Sequence, residues 1–268
     1  IAQSVARLTS SLFIIKWVER YAFSLNASAW VFITVGLLFA LGSLFFLVTR
    51  EIPAAGNGSK KHSNSFRRYV KVSVRHMIAN KNFLFFLAAD LDFYVVVTVI
   101  SFYANYATTF CGIEAHLAAG AFVTCIYTGA IIVNIFLGSL NMFSLKHKYI
   151  FSKTASISAM VLLFLFSYQW SFFLSSLLMG AARGQRMVVF APTVKKLSGL
   201  EDSTSYFAVA PILTAVFASG LPMFFGKFLD HFAWLNGWAY RIVFLLSACL
   251  ILGTLYCLKR VDFQDARI

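Results

Sequence analysis

The sequence predicts an all-α fold, a polytopic membrane bundle of helices. Three observations carry that expectation. Hydrophobic residues make up 60% of the 268 positions and charged ones only 12%, against about 25% charged in a soluble domain. A small globule must turn much of its surface to water, so it cannot hide that much apolar area. The apolar residues, 30 Phe among them, fall into runs of membrane-spanning length. The excess of 23 Lys and Arg over 10 Asp and Glu sits between those runs. This excludes a disulfide scaffold, a disordered chain and an ordinary cytosolic enzyme.

A helix needs about 20 mostly apolar residues to cross ~30 Å of hydrocarbon. Eight stretches qualify: Ile1–Trp17, Ala29–Val48, Phe83–Tyr106, His116–Leu140, Tyr149–Trp170, Phe172–Val194, Ser205–Gly226 and Trp238–Leu258. Ala29–Val48 and His116–Leu140 hold no Asp, Glu, Lys or Arg; Ile1–Trp17 is interrupted by Arg7 and Lys16. The uncharged stretch between Lys153 and Arg183 is too long for one crossing, and Gln169-Trp170-Ser171 is its expected turn. Helices are required because an open sheet edge would leave unpaired backbone groups in lipid.

Residues 50–82 form a linker. Glu51-Ile-Pro53 ends the preceding helix and Ala54–Ser59 is flexible in composition. Beyond it Phe66, Tyr69, Val70, Val74, Met77 and Ile78 recur at helical spacing, with Arg67, Arg68, Lys71 and Arg75 between them. That is an amphipathic helix, expected on the membrane surface or docked on the protein itself. Basic residues concentrate in this linker, in Asn141–Lys153 (Lys146, Lys148, Lys153), after Val194 (Lys195, Lys196) and in the tail (Lys259, Arg260, Arg267). The positive-inside rule makes that side cytoplasmic, with both ends of the chain on it.

Several motifs carry nothing. Gly56–Lys61 lacks the second glycine of a phosphate loop and follows no strand. The five His show no metal spacing, and Cys111, Cys125, Cys249 and Cys257 form no CxxC. No cofactor, metal site or nucleic-acid partner is expected. Asn26-Ala27-Ser28 is a glycosylation sequon whose context the sequence does not support.

The functional leads are the charges inside the spans, which are costly in lipid and face a cavity or a partner. Asp90 and Asp92 lie in Phe83–Tyr106, roughly 10 and 13 Å past its start; Arg186 and Arg183 lie in Phe172–Val194, roughly 12 and 16 Å before its end. The depths match, so Arg186 or Arg183 is expected to pair with one aspartate. Two residues apart, Asp90 and Asp92 point to nearly opposite faces and need different partners. Tyr103, Asn105, Tyr127, Asn134 and Gln185 are weaker polar candidates, Tyr103 and Gln185 being retained with the charged four.

The order of features resembles the major facilitator superfamily: two helices, a long basic linker with an amphipathic helix, then six helices with short loops. Phe102-Tyr103, Gly112-Ile113, Gly120 and Gly138-Ser139-Leu140 are similar to the family's seventh and eighth helices. Met179-Gly-Ala-Ala-Arg-Gly184 is similar to its tenth, and Gly226–Asp230 with Tyr240–Phe244 to its eleventh-to-twelfth connection. The chain departs from the family's loop signature, with Met142 and Phe143 where Asp and Arg are expected. The resemblance implies a twelve-helix protein in two six-helix domains. Residues 1–49 would hold the last two helices of the first domain, 50–82 the cytoplasmic linker, 83–258 the second domain and 259–268 a cytoplasmic tail. The missing N-terminal helices of the same protein are then a partner of this fragment.

The expected function is secondary active transport of a small polar or anionic organic solute, with H+ or Na+ as candidate coupling ions. The family analogy makes Phe83–Tyr106 and Phe172–Val194 the lining of the path. The expected setting is the lipid bilayer of a bacterial inner membrane, and no enzymatic activity is expected. Two alternatives stand: a membrane-embedded enzyme using Asp90-Leu91-Asp92 as a DxD motif, and a non-transporting sensor or scaffold.

Overall fold

The computed structural model describes residues 9, 25–48, 66–115, 117–140, 142–199 and 203–263. Every regular element among the described residues is a helix. In chain order these are α1 (Leu25–Val48), α2 (Phe66–Ala79), α3 (Lys81–Asp90), α4 (Asp92–Phe110), α5 (Phe122–Val133), α6 (Leu145–Leu165), α7 (Gln169–Ser198), α8 (Thr204–His231) and α9 (Gly237–Lys259). Short π-helical segments, Leu117–Ala121 and Asn134–Ser139, flank α5.

Five helical stretches among the described residues are long and apolar enough to cross a membrane: Lys81–Phe110, Phe122–Ser139, Leu145–Leu165, Thr204–His231 and Gly237–Lys259. Helix α7 has the length, at 30 residues, but its Arg183, Gln185, Arg186 and serines dilute its apolar character. The expected span Ile1–Trp17 lies outside the described residues, as do positions 50–65 of the linker and 264–268 of the tail. Ala29–Val48 falls on α1, where Phe32–Leu44 is the apolar segment. The described side chains of α1, Trp30, Phe32 and Phe39 among them, are exposed.

The expected turn at Gln169–Ser171 is corrected. Helix α6 already ends at Leu165, Phe166 and Tyr168 are extended, and Gln169 opens α7. The Ser171 hydroxyl donates to the Phe166 and Tyr168 carbonyls, at 3.1 and 2.6 Å. Those carbonyls belong to the turn, so Ser171 acts from inside α7.

Helix α7 is the central post. It packs chiefly on α5 and α6, and also touches α3, α4 and α8. Helix α9 closes the bundle against α3, α4 and α6. The end of the bundle at the α6–α7 and α8–α9 turns is aromatic, with Tyr168, Trp170, Trp234 and Trp238 exposed. Rings of that kind sit at a membrane–water boundary. There Arg241 donates to the hydroxyls of Tyr106 (3.0 Å) and Ser167, tying α4 and α9 to the α6–α7 turn.

The opposite end is basic, with Lys146, Lys195, Lys259 and Arg260 at helix termini. Two asparagines clasp it. Asn80 Oδ1 accepts from Phe83 N at 3.0 Å, capping α3, and its Nδ2 donates to the Leu197 carbonyl at 3.0 Å. Asn82 and Asp262 exchange two hydrogen bonds of 2.8 and 2.9 Å. Asn80→Ala is expected to cost about 1 kcal/mol, the usual worth of a cap, read as a lower unfolding midpoint. The amphipathic helix α2 docks on α3 and α8 through buried Ser73 and Met77, leaving Lys71, Val72, Arg75 and Ile78 exposed.

The apolar core is divided. One cluster fills the aromatic end (Val95, Tyr103, Met160, Phe172, Phe225, Phe244), and a second fills the basic end (Phe83, Phe86, Tyr149, Val189, Tyr206, Leu258). On every helix that contributes to both, a polar residue lies between them in sequence: Asp90 and Asp92, Lys153 and Ser156, Gln185 and Arg186, Thr214, Thr254. A polar layer therefore crosses the bundle.

Candidate functional site

The layer is built around two ion pairs. Arg186 grips Asp90 with one edge of its guanidinium: Nε donates to Oδ1 and Oδ2 at 2.9 and 3.0 Å, and Nη2 to Oδ2 at 2.7 Å. This fork geometry is available to guanidinium and not to ammonium. The same guanidinium lies 3.9 Å from the ring centre of Phe93 and 4.4 Å from that of Phe190, within cation–π range on both. Of the two arginines expected at matching depth, Arg186 is the one that meets Asp90.

Asp92 turns the other way and meets Lys153, Nζ to Oδ1 at 2.9 Å. Lys153 also donates to the Ala89 carbonyl at 2.5 Å and to Thr254 Oγ1 at 3.0 Å. An ammonium has three donors, so this one is fully used. It joins α6 to α3, α4 and α9 near Leu91, where α3 and α4 meet.

Lys153 was expected in a basic loop, and the structure corrects that. Helix α6 begins at Leu145, which carries Lys153 two turns into the bundle, where its side chain is fully buried. Lys148 is buried as well. The missed signal is spacing. Tyr149, Ser152, Lys153 and Ser156 recur at three and four residues, a polar stripe on one face of an otherwise apolar helix.

Asp90, Asp92, Phe93, Tyr149, Ser152, Ser156, Arg183, Gln185 and Arg186 line one small cavity. Five of the six retained candidates therefore converge. Tyr103 does not; it is buried in the aromatic-end core, sharing a 3.0 Å hydrogen bond with Ser176 and packing on Phe122 and Phe172. Of the weaker candidates, Asn105 donates to the Tyr240 hydroxyl at 2.7 Å, near the aromatic end.

The cavity holds paired charge with little free room. The cavity volume is about 10 Å3. Gln185 is fully buried, and neither of its amide atoms has a protein partner; Ser156 Oγ is likewise unpartnered. At the layer's edge Tyr94 and Thr214 share a 2.9 Å hydrogen bond, linking α4 to α8. The Arg186 side chain, 18% exposed against 0% for Lys153, is the more accessible cation of the two pairs.

Asp90 and Asp92 line the same cavity, and each is held by its own cation, Arg186 and Lys153. Among the described residues no group of three or more His, Cys, Asp or Glu is placed to hold a metal ion. No family model, curated protein or solved structure matches the chain.

Proposed function

We propose that this chain is the larger part of a secondary active transporter. It would move a small polar or anionic solute between membrane-spanning helices by alternating access. The observation that supports this best is the polar layer. Two ion pairs from α3, α4, α6 and α7 sit between two apolar clusters, in a bundle where α3–α4 and α6 are long and apolar enough to cross a bilayer. Charge at that depth is expensive, and a substrate or ion pathway is its usual reason. The arrangement fits the resemblance to the major facilitator superfamily, with α3–α4 and α7 as the path-lining helices of the second domain. On that reading the basic end is cytoplasmic, and helices upstream of this chain complete the path.

Within this reading the two pairs have different tasks. Lys153 has spent its donors on protein groups and holds the helices together. Arg186 is more accessible and keeps unused guanidinium donors, so it is the group that meets an anionic solute while Asp90 holds it in place.

The test is gradient-driven uptake of small labelled carboxylates and phosphates by the complete protein in liposomes. Arg186→Gln is expected to lower uptake at least about tenfold, the ~1.4 kcal/mol of one good contact. Asp230→Asn, at the aromatic end, is expected to leave it unchanged. Uptake unaffected by Arg186→Gln, or absent for every anion under either a proton or a sodium gradient, would reject the proposal.

A further inference from the structure

We propose that Gln185 and Ser156 hold one buried water molecule in the polar layer, hydrogen-bonded between the Asp90–Arg186 and Asp92–Lys153 pairs. Three observations converge on it. Gln185 has no exposed surface and its amide N–H and C=O both lack partners. Ser156, equally buried, has an unpartnered hydroxyl and is one of the residues around the same cavity. The cavity measures about 10 Å3, at the lower limit of the room one water needs.

An unpaired amide in such a place is costly, because both its atoms lose the hydrogen bonds they had in water. One water removes most of that cost. It can donate to Gln185 Oε1, accept from Gln185 Nε2, and use its remaining positions on Ser156 Oγ and a carboxylate. Two to four polar partners are what a buried water requires, and the lining supplies them. A dry cavity is the expectation for an apolar lining, and this one is polar.

A sodium ion is a poor alternative occupant. It would sit beside Arg183 and Arg186, with each carboxylate of the lining already holding a cationic nitrogen at 2.7 to 2.9 Å. A neutral molecule that both donates and accepts meets no such repulsion. The consequence is that the two ion pairs and Gln185 form one hydrogen-bonded unit rather than two separate pairs. The inference concerns this chain's own layer and does not depend on the transport reading.

The experiment uses the complete protein in lipid nanodiscs. Thermal unfolding is measured for Gln185→Leu, Ser156→Ala and the double variant, with a map of the unsubstituted protein at a resolution that shows ordered waters. Density is expected within hydrogen-bonding reach of the Gln185 amide and Ser156 Oγ. Gln185→Leu is expected to lower the midpoint by ~2–4 °C. The double variant should lose less than the two singles summed, because both act on the same molecule. A raised midpoint for Gln185→Leu would mean a dry amide relieved of its burden, and would overturn the proposal. An empty cavity in the map would do so too, including where Gln185→Leu fails to fold. Failed uptake with the water in place would count against the transport reading alone.

Discussion

Replacing Lys153 by Met is expected to destabilise the protein by about 3–5 kcal/mol, the range for removing one partner of a buried ion pair. Met keeps the length and the apolar stem and removes only the ammonium. The Asp92 carboxylate, its side chain 11% exposed, then loses its cationic partner. The Ala89 carbonyl and the Thr254 hydroxyl each lose a donor. Asp92→Asn is expected to cost less, since a neutral amide oxygen can still accept from Lys153. The double variant Lys153→Met, Asp92→Asn should recover most of the loss of the first, because it leaves no uncompensated charge. Lys146→Met and Lys195→Met, at exposed positions of the basic end, are expected to stay within about 0.5 kcal/mol of the parent. Unfolding midpoints in nanodiscs read the whole set. A Lys153→Met protein as stable as the Lys146→Met one would show that the ammonium is not buried against Asp92.

That lysine also marks where sequence reasoning stopped. The long apolar runs of α4, α8 and α9 declare themselves, because composition and length suffice in a bilayer. That Arg186 or Arg183 would meet one of the two aspartates was legible from helical rise, since all four sit at computable depths in runs with clear ends; which two would pair was not. Lys153 was not, because it follows Lys146 and Lys148 and a loop was the simplest home for three basic residues within eight. Only the helix start at Leu145 moves it inside, and helix starts are the least certain reading of any sequence. The α6–α7 turn was misplaced for a related reason. Gln169, Trp170 and Ser171 look like turn residues, yet the Ser171 hydroxyl serves the turn from within the helix. Gln185 was legible as a polar residue in a span. Its lack of any protein partner depends on what α6 places opposite it, which no local pattern encodes.

Gly180→Leu is expected to prevent α5 and α7 from packing, and with that to abolish the folded bundle. Three glycines explain how α7 stands so close to its neighbour. A Cβ added to Gly180 would collide with the Ile126 backbone, its carbonyl oxygen first; at Gly129 it would strike the Leu177 carbonyl oxygen; at Gly184 it would lie 2.6 Å from the Ala130 Cα. The obstacles are backbone atoms of a facing helix, which cannot rotate away as a side chain could. Helices in lipid gain little from burying apolar surface, so close backbone approach through small residues is a main source of their association. Even Gly180→Ala is therefore expected to cost roughly 3 kcal/mol or more, at or beyond the upper end of ordinary overpacking. The control is Gly253→Ala on α9, where an added Cβ meets nothing within 4 Å. There the gain in helix propensity, up to ~1 kcal/mol, should leave stability equal or higher. Monodispersity and unfolding midpoint of the purified variants separate the two cases. A Gly180→Ala protein indistinguishable from Gly253→Ala would mean that α5 and α7 are not in backbone contact. The polar layer would then lose the packing that holds Gln185 and Arg186 in place between the two cores.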